Sequence, residues 1–396
     1  MLAQHRIRPA AAMEFLGSEG SFEVLARARE LEALGHDIVH LQVGEPDFDT
    51  PAHIKRAGIV AIENNLTRYT PSAGIAPLRD AVAAYAAPFR KMEPFTRDQV
   101  VVSPGLKPMI WNVLSALLEP GDEMVYADPA YPAYESVARY LGAKPVPVPL
   151  LERTNFALDL DDLAAHMNAR TKVLVLNSPH NPTGGILNLP DLETIAELAL
   201  RYDVTVVSDE IYSRIRYGDE FHSIAALPGM RERTIILDGF SKAYAMTGWR
   251  LGYAIMPADL ARTVSLLGQN TYSCTAQFVQ MAGIAALTGP DDSVLDMVDK
   301  LERRRDVLVA GLNALPGFRC NTPDGAFYAF PNVSAITRDD KKLATFLLEE
   351  GGVAALGGSC FGEAGRGFMR FSYAASHELI ERALERMRAA LPRFTP

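Results

Sequence analysis

The sequence predicts an α/β protein: a mostly parallel, seven-stranded sheet with helices on both faces, joined to a smaller α+β domain. Two observations carry this prediction. From about residue 98, the short β-rich runs "QVVVS", "EMVYAD", "KPVPV", "KVLVLNS", "VTVVSDE", "TIILDG" and "LGYAIM" alternate with helical stretches. Strands and helices alternating at that spacing build parallel sheets covered on both sides. After Gly317 the texture changes to "GAFYAF", "GVAALGG" and "GFMRFSYA", with helices expected at 341–350 and 377–390.

In chain order, residues 21–35 show helical periodicity and stop at Gly35. "LQVGEPDFDTP" reads as a short strand entering a loop, and "IAPLRDAVAAYAAPF" as an amphipathic helix. Further helices are expected at 108–118, 132–141, 188–201, 259–290 and 294–315, with 259–290 long enough to link domains. The expected division is an N-terminal segment, 1–45, contributing to the small domain, a large domain over 46–295 and a C-terminal small domain over 296–396.

A chain of 396 residues with 48% hydrophobic and 22% charged residues supports two domains with substantial cores. A net charge of −9 argues against a nucleic-acid partner while leaving room for a local basic pocket. Cys274, Cys320 and Cys360 are far apart and match no metal-ligand spacing, so no metal and no disulfide framework are expected. With no apolar run of signal-peptide length at the start and no membrane-length segment, the expected compartment is the cytoplasm.

Four clusters fall at strand ends, where open α/β sheets bind ligands. In "VSPGLKPMIWN", Gly105 and the amides after it can open a helix toward an anion, or simply make a tight turn. In "NSPHNPTGG", Asn181 offers an amide donor and acceptor within a defined turn, and His180 has no metal partners beside it. In "VVSDEIYSRI", Asp209 is either a helix-capping acid or a carboxylate able to keep a ring nitrogen protonated, with Tyr212 turned toward the same pocket. In "GFSKAYAMTGWR", Lys242 can attack a carbonyl if its environment lowers its pKa, and Arg250 can fork onto a phosphate. Each has a bland structural reading alone; four in order weaken that reading.

Together, "NSPHNPTG", "SDEIY", "GFSKAYAMTGWRLGY", "GAFYAFP" and "FMRFSYA" resemble the aspartate aminotransferase family, the fold-type I, pyridoxal-phosphate-dependent class I/II aminotransferases, from about residue 20 to 390. The resemblance implies pyridoxal 5'-phosphate as cofactor, covalently held by Lys242, with Asp209 on its pyridine nitrogen and Asn181 and Tyr212 on its 3-oxygen. It implies Tyr131, in "YADPAYPAY", stacked on the ring. Gly105, Leu106, Lys107, Ser241 and Arg250 are implied around the phosphate, Leu106 and Lys107 mainly through backbone N–H groups. Tyr69, in "RYTPSAG", is implied to reach a partner subunit's cofactor phosphate, which makes the expected assembly a homodimer. Arg370 is implied to bind the substrate α-carboxylate beside Gly44 and Asn181, and Trp111 is a candidate for lining the side-chain pocket, with core packing the alternative.

The chain departs from the family's pattern in two places. Gly239 stands where some members carry a second hydroxyl, and "QNTYSCTAQFV" lacks the arginine that binds a second carboxylate in the dicarboxylate-specific branch. The expected activity is transfer of an amino group from an L-amino acid, aspartate first, to a 2-oxo acid by a ping-pong route. Neutral or aromatic donors, or a carbon–sulfur β-lyase on the same scaffold, are the alternatives.

Overall fold

The computed structural model describes residues 8–17, 20–218 and 220–396. Residues 1–7 and 18–19 of the expected N-terminal segment lie outside the described residues. The principal elements run α1 (Gly20–Ala33), β1 (Val39–His40), α2 (Ala52–Glu63), α3 (Ala76–Phe89), β2 (Val100–Ser103), α4 (Leu106–Leu117), β3 (Glu123–Asp128), α5 (Ala133–Tyr140) and β4 (Lys144–Pro149). They continue through α6 (Leu160–His166), β5 (Thr171–Asn177), α7 (Leu189–Arg201), β6 (Thr205–Asp209), β7 (Thr234–Gly239), β8 (Gly252–Ile255), α8 (Ala258–Thr271), α9 (Gln277–Thr288) and α10 (Asp292–Asn313). The chain ends with β9 (Tyr328–Ala329), α11 (Asp340–Gly351), β10 (Val353–Ala354), β11 (Leu356–Gly357), β12 (Met369–Ser372) and α12 (His377–Ala390).

Seven strands form one sheet in the order β2-β8-β7-β6-β5-β3-β4, the seven runs read from the sequence. All neighbours pair in parallel except β8, which runs antiparallel to both β2 and β7. Alternate strand residues face opposite layers, as the pleat requires. Val101, Met124, Val173, Val207 and Leu237 pack with α4, α5 and α8 on one side. On the other, Val102, Ile236 and Tyr253 meet α3 and α9, and Val125, Leu174 and Val206 meet α6 and α7. A separate core gathers Val39 and Leu41 with residues of α10, α11 and α12 and with Phe327, Met369 and Phe371.

Two expectations change. The helical stretch 259–290 is two helices, α8 and α9, broken at 272–276, where Ser273 takes a φ of 64°. The Gln280 side chain secures the break, with Nε2 donating to the Thr275 carbonyl at 2.7 Å and Oε1 accepting from the Ile75 amide at 2.8 Å. The short strand expected in "LQVGEPDFDTP" lies just ahead of it, at Val39–His40, and pairs in parallel with β10. Residues 41–50 then run as a strap against the loop that follows β7, Gly44 accepting from Lys242 Nζ and Thr50 Oγ1 donating to the Ala245 carbonyl.

Candidate active site

The lysine sits in the connection between two adjacent antiparallel strands. Asp238 faces Tyr253 and Gly239 faces Gly252 across β7 and β8, so both ends of the 240–251 loop are pinned by the ladder. From this loop Lys242 Nζ donates to the Gly44 carbonyl at 2.5 Å, and it lies 5.9 Å from the Tyr212 ring and 5.8 Å from the Phe327 ring. Burial, and then repulsion from Arg370, pull the amine down to about 8. Lys242 is therefore more readily uncharged near neutral pH than an ordinary lysine, and the uncharged amine is the state that attacks.

Asp209 ends β6 beside Asn177 of β5. Its carboxylate accepts from Tyr134 Oη at 2.6 Å and from the Ile211 amide at 3.2 Å. Burial outweighs those hydrogen bonds and pushes the carboxyl up to about 6. Tyr134 is a neighbour the sequence reading missed, although it lies in the quoted "YADPAYPAY" three residues beyond Tyr131, within the first turn of α5. The two tyrosine rings meet edge to face with centroids 5.7 Å apart.

Asn177 Oδ1 accepts from the Asn181 amide at 2.9 Å, fixing the turn that carries Asn181. His180 is buried against Thr183 Oγ1 at 2.9 Å and burial drives its pKa down to about 3, so it serves as a neutral packing group. Arg370, on β12, donates to Asn181 Oδ1 at 3.0 Å and to the Gln42 carbonyl at 2.6 Å. Its Cζ lies 4.4 Å from the Tyr328 ring centroid and 4.8 Å from that of Phe361, and its buried Nε has no protein partner. A buried guanidinium with a donor to spare is suited to a forked carboxylate.

Gly105 precedes α4 with a φ of 90°, a conformation that favours glycine. A side chain there is also blocked, because a Cβ falls 2.3 Å from Arg250 Nη2. Arg250 thus lies against the opening of α4, where Leu106 and Lys107 form the first turn. Arg250 Nη1 is anchored on the Thr247 carbonyl at 2.8 Å. Ser241 adjoins the lysine in the same loop. Lys107 Nζ lies 5.9 Å from the Tyr131 ring and 5.8 Å from the Phe22 ring. Trp111 borders a surface depression with Lys107 and Arg250, and its ring packs with its centroid 4.8 Å from that of Tyr140.

Tyr69 stands apart, with its side chain 92% exposed. Gly44 does lie at the centre, since a Cβ there lands 2.0 Å from Tyr328 Oη. Among the described residues no three His, Cys, Asp or Glu side chains gather as a metal site, and no helix is long and apolar enough to cross a membrane.

The mostly parallel sheet thus carries along one edge a buried lysine of lowered pKa and a buried carboxylate, the groups of an α/β enzyme site centred on an amine. The sequence profile of the class I and II aminotransferases matches residues 36–387, and the chain belongs to that family. Members of the family use pyridoxal phosphate. The chain is 38% identical over 389 residues to a probable aspartate/prephenate aminotransferase of Aquifex aeolicus, covering 96% of this chain and 98% of that one. It is 37% identical to aromatic-amino-acid aminotransferase 2 of Thermococcus litoralis, covering 89% and 92%. Among solved structures, the aspartate aminotransferase of Thermus thermophilus with maleate superposes with a TM-score of 0.93 at 36% identity, covering 97% of this chain and all of that one (100%).

Proposed function

We propose that the chain transfers the amino group of an L-amino acid, with aspartate the first candidate, to a 2-oxo acid in two successive half-reactions. The observation that carries this reading is the convergence on one site of Lys242 Nζ, its amine depressed to about 8, and Arg370 with an unpartnered buried Nε. The residues fit pyridoxal phosphate. Leu106, Lys107, Gly105, Ser241 and Arg250 would hold its phosphate, Tyr131 its ring face, Asp209 its ring nitrogen, and Asn181 and Tyr212 its 3-oxygen.

When bound, that group supplies a carbonyl for amines and an electron-withdrawing ring that acidifies the substrate Cα–H bond. Lys242 serves as its covalent anchor and, once displaced, takes the proton from the substrate Cα as general base. Asp209 holds the proton on the ring nitrogen; a cationic partner reverses the cost of burying its charge. Arg370 grips the α-carboxylate, so the Cα–H bond is presented to Lys242 in one orientation.

The choice of an acidic donor rests on Lys107, whose ammonium stands beside Tyr131. It supplies a cation near the expected ring-stacking position without the arginine absent from 269–279. The Thermus relative's pairing with maleate, a dicarboxylate, agrees with that choice. The reading includes the division into a large domain, 46–295, and a small one formed by 1–45 and 296–396, and a homodimer in which Tyr69 completes the neighbouring site. Cytoplasmic residence belongs to the same proposal.

The test is to mix cofactor-loaded protein with each L-amino acid, without any 2-oxo acid, and follow both absorbance and products. Conversion of the cofactor to its amine form with release of one equivalent of 2-oxo acid is expected, fastest with aspartate. Pyruvate and ammonia released without that conversion would replace the reading with a β-lyase.

A further inference from the structure

Tyr328 lies inside "GAFYAF" and has no role in the site as described so far. Its position is more central than that of most groups assigned one. Residue 328 pairs with Ser372 across β9 and β12, two residues along the strand from Arg370. Its hydroxyl is 2.7 Å from Tyr212 Oη, and both side chains are buried. It also abuts Gly44, whose carbonyl receives the Lys242 amine. Its ring faces Arg370 at 4.4 Å.

Packing accounts for the ring, because a phenylalanine fills the same space. It does not account for the hydroxyl, which meets the one phenol expected to serve the cofactor's 3-oxygen. Each phenol carries a single donor proton. If Tyr212 spends its proton on Tyr328, none remains for the cofactor. If Tyr328 donates to Tyr212, the proton of Tyr212 is directed onward. An acceptor oxyanion beyond Tyr212 selects the second arrangement, in which both phenols donate, and the Arg370 charge bears on both of them.

We propose that Tyr328 is a positioning residue that donates to Tyr212, commits the Tyr212 proton to the 3-oxygen of bound pyridoxal phosphate, and makes that commitment respond to the charge on Arg370. A substrate carboxylate seated on Arg370 offsets that charge and relaxes the arrangement, so carboxylate binding is felt at the cofactor through two phenols. This rests on the cofactor placement proposed above.

The test is a pH titration of the cofactor's absorbance in wild type, Tyr328→Phe, Tyr212→Phe and the double variant, each with and without succinate, a dicarboxylate lacking an amine. Losing a committed hydrogen bond to an oxyanion raises the absorbance midpoint in Tyr328→Phe by about 0.5 to 1 pH unit. Tyr212→Phe raises it at least as far, and the double variant matches Tyr212→Phe because Tyr328 acts through Tyr212. Succinate raises the wild-type midpoint, and by less in Tyr328→Phe. An unchanged midpoint in either single variant overturns the inference, as does a Tyr328→Phe shift that persists when Tyr212 is already phenylalanine. Tyr212→Phe keeps the test decisive should Tyr328→Phe not fold. A wild-type protein that gains no cofactor absorbance at all overturns the functional reading instead, a separate and recognisable result.

Discussion

At the residue scale, the site depends on two groups held away from their ordinary ionisation. Lys242 is pulled down to about 8, so capture of pyridoxal phosphate by cofactor-free protein is expected to accelerate as pH rises through about 8 and to level off above it. Stopped-flow absorbance across that range checks this, and Lys242→Ala removes the phase. Asp209 is pushed up to about 6 by burial, above its unfolded value of 3.8. A carboxyl raised on folding contributes stability that is present below about pH 4 and lost as pH climbs through 6. Asp209→Asn is therefore expected to stabilise the cofactor-free chain by about 1–3 kcal/mol at pH 7.5 and by little at pH 4, while weakening cofactor binding. Urea unfolding at the two pH values, with a cofactor titration, separates the effects. Lys242, Asp209 and Asn181 were legible because each ends or follows an apolar strand, whereas Arg370 came only from the resemblance carried by "FMRFSYA". Tyr134, Gln42 and Tyr328 lay in the same quoted stretches but gained their meaning from partners 75, 328 and 116 residues away, as in Tyr134–Asp209, Gln42–Arg370 and Tyr328–Tyr212.

At the scale of elements, the ends of β6 and β7 are tied by a buried charge cluster beneath the site. Arg90, at the end of α3, donates to Glu210 at 2.6 Å and to Asp238 at 2.7 Å with its side chain fully enclosed. Burial alone would make Arg90 easier to deprotonate, but the two carboxylates outweigh it and raise its pKa. Ser208 and Ser223 supply further hydrogen bonds to Glu210, and Tyr253 one to Asp238. Asp209 and the lysine loop emerge directly from these tied ends. Arg90→Met leaves two buried carboxylates without their cation, and a loss of about 3–5 kcal/mol in urea unfolding is expected. The seven strands could be read from sequence because strands buried on both faces appear as continuous apolar runs. Arg90 could not, since its fully enclosed charge depends on strands that follow it by more than a hundred residues. The break between α8 and α9 was equally hidden, because both flanking segments keep helical periodicity and Gln280 secures the interruption through the distant Ile75.

For the whole molecule, the 92% exposure of Tyr69 sets the most direct test of assembly. In the proposed homodimer, Tyr69→Ala weakens the neighbouring site rather than its own, and Lys242→Ala silences its own. Mixing equal amounts of the two variants under conditions of subunit exchange is expected to restore about a quarter of the sites, those in hybrid dimers that combine an intact lysine with a partner's tyrosine. Steady-state activity against mixing ratio measures this, and no recovery beyond the sum of the separate variants argues against the shared site.

The pairing of β1 with β10 joins Val39 to Val353, and it has a bearing on how the protein is made. During synthesis the first forty residues leave the ribosome long before their strand mate, while the large sheet's segments follow one another and can associate as they emerge. Contacts of such long sequence separation form late and slowly. Until residue 354 is available, the strap that brings Gly44 to Lys242 has no ladder to anchor it. A nascent chain can thus hold the lysine loop before Gly44 is seated against it, since the pairing of β1 with β10 must wait for the distant strand.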